Sequence, residues 1–138
     1  MFLLTALFLL RVLGQAVQRW LPQPWLPPFV AFQGSRLPYP VLLGAQLLIL
    51  TVMVRAAWRA LRGTGSAAPA QGRLLLGFGA VYLLVSLARI AIGMGLRSAP
   101  YWFSTWIPAF FHIVLACFVL VAGDHQRRGS GARGARGA

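Results

Sequence analysis

Twenty-three consecutive residues, Tyr101–Gly123 (YWFSTWIPAFFHIVLACFVLVAG), carry no fixed charge. At about 1.5 Å per helical residue, a run of this length can cross a ~30 Å hydrocarbon core. At 138 residues there is room for one domain, and 59% of the chain is apolar against 10% charged. So few charges cannot cover the surface of a soluble domain, and the solvent they imply is largely lipid.

Three further stretches have the same character. The N-terminal MFLLTALFLLRVLGQAVQRW is interrupted by Arg11 and has no convincing cleavage site after its apolar run. It therefore reads as an uncleaved span over about residues 2–18 rather than as a secretory signal. Its insertion is marginal: about ten strongly apolar residues contribute roughly −4 to −5 kcal/mol, against about +3 for a central arginine. Neighbouring helices are needed to hold it. A second span covers residues 39–55 and continues into RAAWRALRG, and a third covers 74–96. With 101–123 the fold class is an all-α, polytopic membrane protein, a four-transmembrane-helix bundle over residues 1–123.

The connections differ in kind. Six prolines fall between Pro22 and Pro40, where missing amide donors rule out a regular helix. Trp20, Trp25, Phe29, Phe32 and Tyr39 make this loop aromatic, as expected of a segment at headgroup level. Gly63–Gly72 is small and polar, a flexible connector. Residues 124–138 are low-complexity and read as a disordered basic tail. Gly77, Gly79, Ala91 and Gly95 offer small faces for close helix packing, with Ala91 and Gly95 in a small-xxx-small pair.

All thirteen basic residues are arginine, against one acid, Asp124. They lie between apolar spans rather than along one face, which fits membrane topology and not nucleic-acid binding. Arg55, Arg59, Arg62 and Arg73 fall between spans two and three, and Arg127, Arg128, Arg133 and Arg136 in the tail. The first loop has only Arg19 and Arg36, and the third only Arg97. The positive-inside rule then places both termini inside, N-in and C-in. The layout resembles that of many short bacterial membrane proteins, which implies the cytoplasmic (inner) membrane and no particular activity.

Polar groups within the spans are the candidates for function, because ionisable side chains are costly in lipid. Counting from the span ends puts Arg11 and His112 about 15 Å deep, and Gln15, Gln46 and Arg89 roughly 6–11 Å below the outer boundary. Tyr82 and Ser86 precede Arg89 by one to two turns. These residues read as a ligand-binding set: Arg11, Gln15, Gln46, Tyr82, Arg89 and His112. Plainer roles stand beside four of them. Arg89 can snorkel to the surface, His112 can be a neutral core histidine, and Gln15 and Gln46 can be interhelical glue. Arg55, Arg59 and Arg62, at i, i+4 and i+7, read as a solvated helix end or a lipid-headgroup site.

Asp124 is far from the intramembrane arginines, so their charge compensation must come from elsewhere: an anionic lipid, a bound acid or quinone carbonyl, or another subunit or a second copy. No carboxylate pair, metal cluster or phosphate loop is present in the sequence. Cys117, the single cysteine, reads as a packing residue. His112 and His125 are about 20 Å apart on one helix, so one chain cannot ligate a haem with both. No cofactor is expected, with a haem shared across a dimer or a quinone as the exceptions. The function these features imply is binding of a lipid or membrane-protein partner without catalysis. The alternative is a small transporter or membrane enzyme acting on an anionic amphiphile or quinone.

Overall fold

A computed structural model of the chain describes residues 1–33, 37–63, 69–95 and 106–134. The helices are α1 (Phe2–Trp20), a one-turn α2 (Phe29–Phe32), α3 (Tyr39–Leu61), α4 (Pro69–Gly95) and α5 (Trp106–Gly134). Four of them are long and apolar enough to cross a membrane. Prolines sit where helices tolerate them: Pro40 in the first turn of α3, Pro69 at the start of α4 and Pro108 near the start of α5. In the first turn the missing N–H would have had no intrahelical partner. After α3 the chain turns at Gly63, whose φ of +64° suits a residue without Cβ.

The helices differ from the sequence expectation at two ends. The last part of the connector, Pro69–Gly72, belongs to α4, and α5 continues through Asp124–Gly134 where the sequence suggests a disordered tail. One cause is shared. Gly72 packs against the backbone of Gly123 and Arg127, so each helix extends along the other. Asp124 also pairs with Arg127 and Arg128, at 3.5 and 2.7 Å, the i+3 and i+4 spacings that favour helix. Tyr101–Thr105 with Trp102, and Arg36, Leu96, Arg97 and Arg136, lie outside the described residues.

Two packing modes build the bundle. Helices α1, α3 and α5 share a core of Phe8, Val12, Met53, Phe118 and Ala122. Helix α4 packs on α5 through small residues. Gly72, Gly79 and Ser86 recur every seven residues on α4, and Ala109, Ala116 and Gly123 do so on α5, all of them buried. A seven-residue repeat keeps such a stripe facing a partner at a shallow left-handed crossing. A Cβ on Gly79 would meet Leu120 Cγ at 2.9 Å, and one on Gly123 would meet the backbone of Gly72 and Leu76 at 3.0 Å. The small residues singled out by sequence are only partly those used. Gly79 is at the contact, whereas Ala91 faces outward and Gly77 has nothing within 4 Å. On the opposite face of α4, Leu74, Phe78, Val81, Leu84 and Val85 are exposed, the apolar surface a bilayer would cover.

The proline-rich loop folds back onto the bundle. Trp20, Phe29 and Tyr39 meet edge to face, with centroids 5.6 and 5.3 Å apart across Tyr39. Arg19 lies over the Phe29 ring. Phe32 is buried against α1 and α5, carrying the end of α2 inward to the first of the polar groups.

Candidate functional site

All four long helices contribute polar groups, near the end of the bundle that carries the proline-rich loop. Arg11 is nine residues from the end of α1, about 13 Å, and Gln46 seven from the start of α3, about 10 Å. His112 is six residues, or about 9 Å, from Trp106, the first described residue of α5.

Arg11 is buried at 8% exposure, with Nη2 donating to the Phe32 carbonyl at 3.2 Å and Cζ 5.4 Å from the Phe111 ring centroid. Its Nε has no partner among the described residues. A charged hydrogen bond contributes about 1.5–3 kcal/mol and a cation–π contact about 0.5–2. Together these about match the several kcal/mol of desolvating a cation, with nothing to spare. The one acid in the chain is engaged elsewhere, by Arg127 and Arg128. Arg11 is therefore held by a carbonyl dipole and a ring face, with no carboxylate of this chain to balance it.

Gln15 and Gln46 meet across α1 and α3: Gln46 Nε2 donates to Gln15 Oε1 at 2.9 Å. Gln15 is fully buried, and its Nε2 and the Oε1 of Gln46 have no partner among the described residues. The glue role is thus filled, with one donor and one acceptor left over. On the other side, His112 Nδ1 and the Tyr82 hydroxyl are 2.5 Å apart, and Ser86 Oγ donates to the Tyr82 carbonyl at 2.7 Å. Arg89 is buried at 5% on the same stripe of α4 as Tyr82 and Ser86, so it does not lie along the lipid face.

Arg11, Gln46 and His112 line one partly open cavity of about 300 Å³, together with Phe8, Phe111 and Leu115 among others. Gln15 and Tyr82 stand behind it, each bonded to a lining residue. Arg89 is not part of its lining. Arg55, Arg59 and Arg62 are exposed at the far end of α3, with Arg62 over the Trp58 ring at 4.9 Å. Among the described residues no cluster of three His, Cys, Asp or Glu could hold a metal. Two partners of Arg11 escape sequence reasoning. One is a backbone carbonyl, and the other, Phe111, is an ordinary apolar residue whose only cue is its place beside His112.

The amide pair gives a measurable expectation. Gln15→Leu or Gln46→Leu alone leaves the other amide further unmet and destabilises the detergent-solubilised protein, while the double variant recovers part of the loss. Across such a double-mutant cycle the coupling should be about 0.6 kcal/mol and no more than about 1.7, the range found for hydrogen bonds between membrane helices. Additive losses in denaturant unfolding would mean that the bond contributes nothing.

Comparison with protein-family models, with characterised proteins and with solved structures finds no match to this chain.

Proposed function

We propose that this chain is a multi-pass protein of the bacterial cytoplasmic membrane, both termini inside, that binds the anionic head of a membrane amphiphile between α1, α3 and α5 without catalysis of its own. One observation carries the reading: a cavity lined by Arg11, Gln46 and His112 from three helices, with the only acid of the chain engaged elsewhere. A buried cation in low dielectric draws an anion, and an apolar surround favours one attached to a hydrocarbon chain. The orientation rests on the arginine-rich segments, which place the cavity towards the outer leaflet.

Native mass spectrometry of the detergent-extracted protein tests this reading. An acidic lipid should remain on the wild type, and Arg11→Gln should reduce its occupancy about tenfold or more, the effect of one charge-assisted hydrogen bond. Equal occupancy in the variant, or retention of neutral lipid only, would remove the basis for the proposal. The same spectra count subunits, so an acidic partner chain in place of a lipid would be seen directly.

The His112–Tyr82 pair at the cavity wall favours a second reading, a small transporter or membrane enzyme acting on an anionic amphiphile or quinone. Under that reading Tyr82→Phe suppresses turnover or uptake while leaving the amphiphile bound. Under pure binding, no chemical change in the co-purified amphiphile is found at any incubation time.

A further inference from the structure

The opposite end of the bundle carries a charged surface that the cavity does not use. Arg55, Arg59 and Arg62 are all exposed and follow i, i+4 and i+7, so they lie along one side of α3. Trp58, also exposed, stands beside them, and the Arg62 guanidinium lies over its ring at 4.9 Å. That stacking holds the guanidinium in place before any partner arrives, which lowers the ordering cost of binding.

Depth decides what this surface meets. Tyr39, in the aromatic cluster with Trp20 and Phe29, marks the level at which α3 enters the membrane. Counted from there, Arg55 lies about 24 Å along α3, Trp58 about 29 Å, Arg59 about 30 Å and Arg62 about 35 Å. A hydrocarbon core ~30 Å thick therefore ends among these residues. Trp58 falls at the boundary, where tryptophan is favoured, and the arginines step from the edge of the core out through the headgroup layer. The neighbouring helices keep the same level. Met53 of α3 shares a core with Ala122 of α5, just before Asp124, and Gly72, next to exposed Arg73, packs on the Arg127 backbone. Asp124, the one acid of the chain, pairs with Arg127 and Arg128, so this end of the bundle is strongly positive.

From this register we infer that the Arg55–Arg59–Arg62 face of α3 is a second binding surface, occupied by the phosphates of acidic phospholipids in the leaflet at that end. In the orientation proposed above, that is the cytoplasmic leaflet. The surface does not depend on the cavity or on its occupant. An acidic peptide could meet Arg59 and Arg62 from water but not Arg55 at the hydrocarbon edge, whereas lipid phosphates surround the helix at this level. A zwitterionic head brings no net charge to answer the three cations. Each arginine at such a surface contributes about fivefold in affinity for acidic lipid.

The full detergent-solubilised chain is titrated with phosphatidylglycerol and phosphatidylcholine of identical acyl chains, and native mass spectrometry reads binding at low and high ammonium acetate. Salt screens an exposed site and a buried one much less. The wild type should therefore prefer phosphatidylglycerol, with one component of its binding lost at high salt. Arg55→Gln, Arg59→Gln and Arg62→Gln combined should weaken that component about a hundredfold, while Arg11→Gln should leave it unchanged. The three single variants, each losing about fivefold, keep the result readable if the triple variant does not fold. Equal retention of the two lipids by the wild type, no salt-sensitive component, or variants that bind as the wild type does overturns the proposal. Oligoglutamate bound by the wild type in phosphatidylglycerol nanodiscs, and lost with the three arginines, would make an acidic peptide the occupant and overturn the lipid assignment.

Discussion

Gly72→Ala should destabilise the detergent-solubilised protein by about 1–3 kcal/mol, the usual cost of overpacking, while Gly77→Ala, five residues further along α4, should be neutral or slightly stabilising. The two changes are chemically identical. Each replaces a helical glycine, and in the absence of a steric conflict alanine is favoured in a helix by up to about 1 kcal/mol. At Gly77 the new methyl meets nothing within 4 Å. At Gly72 it falls 2.9 Å from Arg127 N and 3.0 Å from Gly123 O, both backbone atoms that no rotamer change can move aside. The helices must separate. Apolar surface gives little drive to helix association within lipid, so α4 is held to α5 by the closeness of the approach itself. Chemical denaturation of the two variants under one condition reads the difference directly. Equal stabilities would show that the glycine stripe does not set the α4–α5 distance.

The same stripe shows what was legible in the sequence and what was not. Four long helices follow from long apolar runs, since each span is its own signal and needs no partner to be seen. Arg11, Gln15, Gln46 and His112 stood out for a related reason: a polar residue in an apolar span is conspicuous. That Gln46 bonds Gln15 and His112 bonds Tyr82 depends on the rotation and register of helices against each other. No single-helix pattern contains that information. Glycine is so common here, fifteen in the chain, that the spacing of Gly72 and Gly79 does not rise above chance until Gly123 is found opposite. The extension of α5 had a readable cue in Asp124, Arg127 and Arg128 at helical spacing, outweighed by a Gly- and Arg-rich composition that elsewhere signals disorder. The Phe32 carbonyl under Arg11 had none, because every residue has a carbonyl.

Arg11→Leu should separate stability from binding. A central arginine costs about 2.5–3.5 kcal/mol on insertion and a leucine contributes about −0.3 to −0.6, so α1 should enter the membrane about 3–4 kcal/mol more favourably. Against this, the Phe32 carbonyl loses its charged donor, about 1.5–3 kcal/mol, and Phe111 its cation–π contact, about 0.5–2 kcal/mol. The two about offset each other, so the variant should insert better and resist unfolding about as well as the wild type. Its retention of acidic lipid should fall tenfold or more. A side chain whose contacts only offset its desolvation, and which is kept for its ligand, behaves in this way, as functional groups in otherwise well-packed proteins often do. Insertion of α1 in a reporter, unfolding of the full chain and native mass spectrometry measure the three quantities separately. If Arg11→Leu instead unfolds readily and still carries acidic lipid, the guanidinium is a pin for α2, fastening the proline-rich loop through Phe32. The anion site must then be sought around His112, on the side of the cavity that Tyr82 supports.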